Sequence, residues 1–215
     1  MSRKIVRLTL DHLETIGAPC RSCLFWELDL VRRGRVSDAC GEKDAWVGEV
    51  LREWGSCGRV ALVDDELAGY LIYAPTAFVP GAAVFPTAPA SADAVVMTTA
   101  YVAPAHRGGG LGRMLVQGMA SDLIRRGGIA AVEAFGDLSG SDGHCTVPVD
   151  FLTSVGFKTH RAHPLTPRLR MDLRTAVSWR DEVEAALERI VEAVRPATRP
   201  KATRGPTPGS ARASR

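Results

Sequence analysis

The order of apolar and polar residues along this chain switches repeatedly between a strand-like and a helix-like period. Short runs rich in Val, Ile, Leu and Tyr predict β-strands. Two such runs flank Asp64, Asp65 and Glu66, a pattern that indicates a hairpin. Strands are predicted at residues 4–10, on both sides of the turn within 58–75, and at 93–104, 129–135, 157–160 and 168–173.

Helical spacing of apolar residues predicts the elements between these strands. From Leu111 to Leu123 an apolar residue recurs at every fourth position, and Arg125, Arg126 and Gly127 are typical of a helix end. The alternation of the two periods predicts a mixed α/β layer architecture without an internal repeat. Helices are predicted to begin at residue 11 and to span 42–56, 110–126 and 148–155.

The segment 75–92 is a long connection rich in Pro and Ala. It is longer than a structural turn requires, which indicates a lid or a binding loop. The surrounding stretch 67–92 has no charged residue but contains four prolines, each of which removes a backbone donor and breaks a helix. We therefore expect no membrane-spanning helix here.

The C-terminal part of the chain differs from the rest. A helix is predicted at 179–194, and its apolar stripe either packs on the domain or forms the interface of a homodimer. Beyond Pro196 the composition is typical of a flexible tail. The predicted organisation is a domain of residues 1–174, an amphipathic helix within 175–194 and a basic, Pro-rich tail at 195–215.

Composition and charge fit a folded, soluble protein. Hydrophobic residues make up 46% of the 215 and charged residues 24%, which argues against disorder or a fibrous repeat. The tail 195–215 holds six of the 27 basic residues and none of the 24 acidic ones, so the remainder carries a net charge of −3. We therefore expect no nucleic-acid binding by the folded body.

Five cysteines occur in a chain whose first residues show no signal peptide, so reduced thiols in the cytoplasm are expected. Cys20 and Cys23 form a C-x-x-C, and Cys40 and Cys57 follow. Unligated thiols, a metal site and redox chemistry are the three interpretations. A zinc site would favour a second close pair, which the wide spacing around Cys40 does not supply, so no metal is expected.

A run of glycines separates the strand predicted at 93–104 from the helix that follows, in the stretch "AYVAPAHRGGGLGRM". Glycines at such a junction let backbone N–H groups converge on an anion near the positive end of a helix, so the natural ligand is a phosphate. A nucleoside-triphosphate loop needs Lys-Ser or Lys-Thr next, and a dinucleotide loop needs G-x-G-x-x-G; both are absent. The spacing present is R-x-x-G-x-G, formed by Arg107, Gly110 and Gly112.

With these residues the sequence resembles the GNAT superfamily of N-acyltransferases, whose [QR]-x-x-G-x-[GA] loop holds the pyrophosphate of coenzyme A. The resemblance covers roughly residues 57–173, and Gly156-Phe157 in "DFLTSVGFKTH" matches the family's second motif. It implies a mixed, mostly antiparallel sheet flanked by helices and acetyl-CoA as the acyl donor. The residues it implies for coenzyme A binding are Arg107, Gly108, Gly109, Gly110, Leu111, Gly112 and Arg113.

The resemblance also implies where the acyl group lies. In the family, backbone N–H groups at the end of the strand before the glycine loop polarise the acyl carbonyl, which corresponds to Tyr101 and Val102 here. Many members have a tyrosine acid four residues before the glycine of Gly-Phe, where this chain has Leu152. A commonly found asparagine aligns with Cys145. The acid is then Cys145, Ser154 or a water, or it is absent.

Glu133 is the candidate general base, because it interrupts an otherwise apolar strand. The alternative is a glutamate paired with an arginine at a sheet edge. His144 lies in the loop before the short helix and either relays a proton or is solvated. Four further residues either line the acceptor side or have core or surface roles: Trp26, Glu27, Tyr70 and Tyr73.

Together these features predict a cytoplasmic N-acyltransferase that moves an acyl group, acetyl above all, from acyl-CoA to an amine by direct attack. The alternative is a GNAT-like module that binds acyl-CoA without efficient chemistry, as a sensor or interaction partner. The type of amine is open, because residues 10–57 and 75–92 carry no motif that identifies it.

Overall fold

The computed structural model describes residues 2–17, 20–140 and 145–174. All of its elements lie within one compact unit, Met1–Ser178. Its strands are β1 (Arg3–Arg7), β2 (Gly58–Val63), β3 (Glu66–Pro75), β4 (Ala94–Val102), β5 (Ala131–Asp137), β6 (Val147–Pro148), β7 (Lys158–Arg161) and β8 (Arg168–Asp172). Its helices are α1 (Leu10–Glu14), α2 (Leu30–Arg33), α3 (Ala39–Trp54), α4 (Leu111–Arg126) and α5 (Val149–Ser154), with 3₁₀ turns at Thr76–Phe78, Pro80–Val84 and Pro104–His106.

The strands form one mixed sheet in the order β1-β2-β3-β4-β5-β8-β7, with β6 paired to β5. Neighbours are antiparallel except β4 with β5 and β5 with β6, which are parallel. This arrangement confirms the predicted α/β class with a mostly antiparallel sheet flanked by helices. The predicted hairpin is also present, because β2 and β3 are joined through Asp64 (φ 51°) and Asp65 (φ 67°). Two-residue hairpin turns require such positive φ values, which Asp tolerates better than most residues.

Apolar residues are buried on both faces of the sheet. On one face α4 packs through the residues whose four-residue spacing predicted a helix: Leu111, Leu115, Met119 and Leu123 are each no more than 2% exposed. On the other face α1, α3 and the connection after β3 cover Tyr70, Ile72 and Val96. The connection 75–92 therefore contributes to this second core, through Val79, Ala82 and Phe85.

The sheet is split in the middle, between β4 and β5. These strands pair only from Ala94–Ala131 to Val96–Glu133. Beyond that point β4 continues to Val102 beside β3 alone, with a bulge where Ile72 opposes Thr99 but Tyr73 opposes Met97. The outer part of β4 thus has a free edge, and alternate backbone groups along that edge face a gap in the sheet.

Two sets of expectations lie outside the described residues. The helix predicted at 179–194, its packing on the domain or in a homodimer, and the tail at 195–215 all fall there, and so does His144. The proposed boundary at residue 174 therefore stays a prediction. Among the described residues, no helix is both long and apolar enough to cross a membrane.

Candidate active site

The glycine loop leads from the free end of β4 into α4. Gly108 (φ +74°) and Gly110 (φ +82°) have left-handed backbone conformations, and Gly110 is the N-cap of α4 without a capping side chain. A Cβ at either position would meet no atom within 4 Å, so the loop surface is open there. The first N–H groups of a helix have no intrahelical acceptor and carry partial positive charge. Loop and helix together present an anion site.

The other two glycines have a packing role. The Gly109 carbonyl accepts a hydrogen bond of 2.7 Å from Arg3 Nη1, which ties the loop to β1. A Cβ at Gly112 would lie only 2.7 Å from Phe151 Cε2. Gly112 is thus required for the close packing of α5 on the first turn of α4. The buried side chain of Leu111 anchors that turn in the core.

Two exposed arginines flank the loop. Arg107 Nε donates to the Val102 carbonyl at 3.0 Å, so this side chain folds back along the end of β4. Arg113 Nη2 donates to the Ser154 carbonyl at 2.9 Å, at the end of α5. Both guanidinium groups remain close to the surface beside the loop, where they add positive charge to an anion site.

Tyr101 and Val102 are the last residues of β4, next to the gap in the sheet. They pair with Tyr70 and Gly69 of β3, and both are half-buried. The Tyr101 ring packs on the Tyr70 ring, with centroids 5.5 Å apart. Tyr101 and Val102 therefore lie at the unpaired end of β4, directly before the turn that leads into the glycine loop.

A small cavity of about 10 Å³, with room for roughly one water molecule, lies on the face of the sheet opposite α4, where Thr99 of β4 forms part of its wall. It is formed by α1, the segment 20–28, α3, β3, β4 and residue 145. Sequence patterns did not reveal it, because most of these residues come from a region without a recognisable motif. The lining residues are Leu13, Ile16, Cys20, Arg21, Cys23, Trp26, Lys43, Tyr70, Ile72, Thr99 and Cys145.

The cations in the cavity wall are paired. Lys43 Nζ donates to Glu27 Oε1, and both side chains are buried. Arg21 Nη2 lies 2.7 Å from Asp44 Oδ2. The Tyr70 hydroxyl has no well-oriented hydrogen-bond partner among the described residues. Burial, together with nearby Cys20, raises the pKa of Tyr70, so it stays a neutral donor.

Two cysteines meet at the cavity. The Sγ atoms of Cys23 and Cys145 are 2.8 Å apart, and Trp26 Nε1 donates to the Cys145 carbonyl at 2.9 Å. The hydrogen bond from Cys145 lowers the pKa of Cys23 to about 6 against the effect of burial, aided by Phe25 N–H and the charge of Lys43. The same contact and burial raise the pKa of Cys145, so the shared proton resides there.

The four cysteines from Cys20 to Cys57 do not form a common site. Cys57 is buried in the core, where desolvation raises its pKa to about 12. Within residues 2–17, 20–140 and 145–174, no three His, Cys, Asp or Glu side chains are arranged to hold a metal ion.

Glu133 occupies a buried ion-pair network. Its carboxylate accepts a hydrogen bond of 3.0 Å from Ser91 N–H and lies 3.3 Å from both Arg168 Nη1 and Arg170 Nη1. Burial opposes ionisation of Glu133, but the hydrogen bonding from Ser91 and the charges of Arg168 and Arg170 outweigh it and lower the pKa. A carboxylate with a lowered pKa is a weak base.

Glu133 is also not among the residues that line the cavity. Phe135, next on the same face of β5, stacks on Phe85 at 4.6 Å, and Phe85 stacks on Trp26 at 5.2 Å. Trp26 is the last ring of this aromatic stack, and it lines the cavity. The contacts favour a glutamate paired with arginines over a general base, but the predicted place at a sheet edge is wrong, because β5 lies inside the sheet between β4 and β8.

The short helix α5 supplies no exposed acid at the tyrosine position of the family. Leu152 is fully buried in the core, and Phe157 of the Gly-Phe pair is 1% exposed. The Ser154 hydroxyl donates to the Phe151 carbonyl at 2.7 Å, within its own helix. Of the acid candidates in the chain, Cys145 is the one that lines the cavity. Tyr73 lies on the opposite face and bonds Asp122.

The mixed, mostly antiparallel sheet and the glycine-rich start of α4 match the acyltransferase fold that the sequence resemblance implies. The family model described as "Acetyltransferase (GNAT) family" matches residues 24–139, more than half of the chain and including the glycine loop. The chain belongs to the GNAT acetyltransferase family. By family it is therefore an N-acetyltransferase.

Solved structures agree with this fold. The chain is similar to the PaiA N-acetyltransferase from Thermoplasma acidophilum in complex with coenzyme A (16% identity, 80% of this chain and 99% of that chain, TM-score 0.52). It is similar to an N-acetyltransferase from Staphylococcus aureus Mu50, with 16% identity over 80% of this chain and 99% of that chain and a TM-score of 0.54. It is also similar to YncA from Salmonella typhimurium with its cofactor acetyl-CoA, with 17% identity over 80% of this chain and 94% of that chain and a TM-score of 0.52. A search of curated protein sequences finds no significant match.

Proposed function

We propose that the protein transfers an acetyl group from acetyl-CoA to a primary amine by direct attack of the amine on the thioester. The observation that carries the proposal is the arrangement of three features around the outer part of β4: the open glycine loop that follows it, the gap beside it, and the small cavity that Thr99 lines on the far face of the sheet. An anion-binding loop, a slot and an opening of about the size of an amine group are the three parts that this acyl transfer requires.

The donor occupies the α4 side. The pyrophosphate of coenzyme A binds the N–H groups of residues 108–112 at the start of α4, with Arg107 and Arg113 beside it. The pantetheine arm then extends along the free edge of β4 into the gap. The coenzyme A and acetyl-CoA complexes of the similar PaiA and YncA structures support this choice of donor.

The thioester lies near the outer end of β4. The Val102 N–H alternates with the Ala103 N–H, which donates to Ala68 of β3, so it faces the gap; it donates to the carbonyl oxygen of the thioester and stabilises the negative charge that develops there. The amine group enters from the cavity, whose wall includes the neutral Tyr70 hydroxyl beside Cys20. Cys145 keeps its thiol proton and passes it to the leaving sulfur, and the proton that the attacking amine loses replaces it on Cys145.

The acceptor is an uncharged or singly charged amine rather than a polyamine. The carboxylates at the cavity, Glu27 and Asp44, are already paired with Lys43 and Arg21. Among the described residues of the cavity wall, a polycation would therefore find only one unpaired negative charge, the Cys23 thiolate, to replace the hydration of its several charges.

The test measures acetylated product by mass spectrometry with acetyl-CoA and a panel of amines: an amino acid, a tripeptide with a free N-terminus, a lysine-containing peptide with a blocked N-terminus, and spermidine. We expect one class other than spermidine to be acetylated faster than acetyl-CoA is hydrolysed. Gly110→Ala should weaken coenzyme A binding roughly tenfold, since a Cβ strains a residue with φ +82°. Gly17→Ala, at an open position without positive φ, is the matched control.

The alternative function, a module that binds acyl-CoA without efficient transfer, is favoured by one observation: buried Leu152 replaces the family's tyrosine. The two functions give different results in the same assay. Tight coenzyme A binding that Gly110→Ala weakens, without product from any amine, would establish the module.

A further inference from the structure

The structure brings together two thiols that are 122 positions apart in sequence. Cys23 Sγ and Cys145 Sγ lie 2.8 Å from each other. A disulfide bond is about 2.05 Å long, so bond formation requires a movement of less than about 1 Å. Neither the proposed donor site nor the glycine loop contains these atoms.

The two cysteines are held in place by the core beneath them. Trp26 Nε1 binds the Cys145 carbonyl at 2.9 Å, and Trp26 is 2% exposed. Its ring stacks on Phe85 and contacts Phe135 of β5. The segment that carries Cys23 is thus fixed against the segment that carries Cys145, and the sulfur contact is a built feature of the fold.

The pair also has the chemistry of a reactive dithiol. A thiolate with a lowered pKa is the form that peroxides oxidise, and a neighbouring thiol resolves the product. Cys23, with its pKa of about 6, is the thiolate, and Cys145 keeps the proton. Both are half-buried at the cavity wall, whereas Cys57 is fully buried. Among the described residues, no third ligand completes a metal site here.

We propose that Cys23 and Cys145 form a reversible oxidation site, at which a hydroperoxide converts the two thiols into a disulfide that lowers acetyl transfer. The Cys23 thiolate attacks the peroxide oxygen, the O–O bond breaks, and the hydroxide that leaves takes a proton from solvent, so that a sulfenic acid and one water form. The Cys145 thiol then attacks the sulfenic sulfur, and the S–S bond forms as a second water leaves. Two thiols lose two electrons and two protons, and hydrogen peroxide is reduced to two waters.

The effect on transfer rests on the proposed function. The disulfide removes the Cys145 proton that would reach the leaving sulfur, and it replaces the negative charge of Cys23 near Lys43 with a neutral sulfur. The glycine loop lies on the other side of the sheet and is unchanged. Turnover with amine should therefore fall while coenzyme A affinity stays the same. A dithiol such as dithiothreitol restores both thiols by exchange.

The first experiment maps the bond without any activity readout. The reduced full-length protein is treated with hydrogen peroxide, alkylated, digested and analysed by mass spectrometry. We expect a peptide that links Cys23 to Cys145, with two of the five thiols protected from alkylation and both recovered after dithiothreitol. Cys40→Ser, at a half-buried cysteine outside the cavity lining, should form the same bond, and Cys23→Ser should not.

Three results would overturn the oxidation site: a Cys20–Cys23 bond as the main product, a bond between two chains, or no loss of thiols. The second experiment measures turnover with the best amine and coenzyme A binding by calorimetry, before and after oxidation. We expect at least a fivefold, reversible loss of turnover with unchanged coenzyme A affinity, in the parent protein and in Cys40→Ser.

The outcomes separate this inference from the proposed function. A disulfide that forms without changing turnover overturns its regulatory effect, although the acetyltransferase stands. A disulfide in a protein that acetylates no amine supports the oxidation site and overturns the proposed function.

Discussion

At the scale of single residues, Glu133 is a charged group that the core tolerates because its partners surround it. Arg168 and Arg170 of the neighbouring β8 face it across the strand pair, with Arg170 directly opposite in the register. A buried carboxylate that loses its charge leaves its partners unpaired in a medium of low polarity. The residue is therefore important for stability, whatever its part in catalysis.

Glu133→Gln should destabilise the fold by about 3–5 kcal/mol at neutral pH, because Arg168 would keep a buried, uncompensated charge. Chemical denaturation measures this difference. Glu49→Gln, at an exposed position of α3, is the matched control and should stay within about 0.5 kcal/mol of the parent. A Glu133→Gln protein that is fully stable but loses turnover would instead favour the general-base interpretation.

The same pair of proteins gives a pH prediction. The folded-state pKa of Glu133 is lowered, so its contribution to stability is complete above the ordinary glutamate value of 4.5 and is lost as the pH falls through the folded value. The stability difference between parent and Glu133→Gln should accordingly narrow below about pH 4.5. A stability difference between the two proteins that widens below about pH 4.5 would contradict the ion-paired, ionised state of Glu133.

The sequence showed that Glu133 needs a partner but not which one, because Arg168 and Arg170 reach it only through the pairing of β5 with β8. In contrast, the roles of Gly108 and Gly110 could be predicted from the sequence, because a positive φ is a local backbone conformation that glycine adopts readily. The close packing of Gly112 on Phe151 was not, because it depends on where α5 lies.

At the scale of elements, α4 is attached to the sheet by a buried polar group as well as by its apolar stripe. Arg59 Nη2 of β2 lies 2.5 Å from Asp122 Oδ1, and both side chains are buried. The Tyr73 hydroxyl of β3 donates to Asp122 Oδ2 at 2.8 Å. Burial opposes ionisation of Asp122, but Tyr73 and Arg59 outweigh it and lower its pKa.

Replacing one member of the Arg59–Asp122 ion pair should lower the free energy of unfolding more than replacing both members. Asp122→Asn should destabilise the protein by about 3 kcal/mol, because Arg59 is left buried and unpaired. The double variant Arg59→Met/Asp122→Leu should be clearly more stable than the sum of its single changes, as a double-mutant cycle in denaturant would show. Arg125→Met is the control, since Arg125 approaches the same carboxylate at 3.9 Å from an exposed position. If the stability changes of the two single variants simply added up in the double variant, the predicted coupling between Arg59 and Asp122 would be contradicted.

The periodic elements were predictable and the irregular ones were not. The spacing in α4 identified its buried face, because a helix packed on a sheet needs one continuous apolar stripe. The helix α3 begins at Ala39, before the predicted residue 42, because Asp38 caps it through Gly41 N–H at 2.9 Å. The short α2 and β6 have too few residues to show a period.

At the scale of the whole molecule, the sheet separates the glycine loop and α4 from the cavity. The fold could be predicted because one glycine loop identified a family with a fixed topology. The cavity could not, because Lys43, Tyr70 and Cys145 come from α3, β3 and a loop far apart in sequence. Local patterns carry no signal for such a site, which exists only after the chain has folded.

If acetyl-CoA binds at the glycine loop and the gap of the folded protein, its binding should raise the thermal stability. A ligand that binds only the folded protein stabilises it, by about 2.7 kcal/mol at roughly 100 times its Kd. For a domain of this size that corresponds to a rise in Tm of about 5–11 °C with acetyl-CoA, measured by thermal scanning. NAD, which has a pyrophosphate but no arm to fill the gap between β4 and β5, should give a much smaller rise.

Two variants then show whether acetyl-CoA binding at the glycine loop is independent of the buried ion-pair network of Glu133. Gly110→Ala should keep most of the parent Tm but lose most of the rise with acetyl-CoA, because it alters the loop alone. Glu133→Gln should start from a lower Tm yet keep the full rise, because its network lies in the paired part of the sheet, away from residues 107–113. An equal rise with NAD, or loss of the rise in Glu133→Gln, would show that acetyl-CoA does not bind as the loop and the gap require.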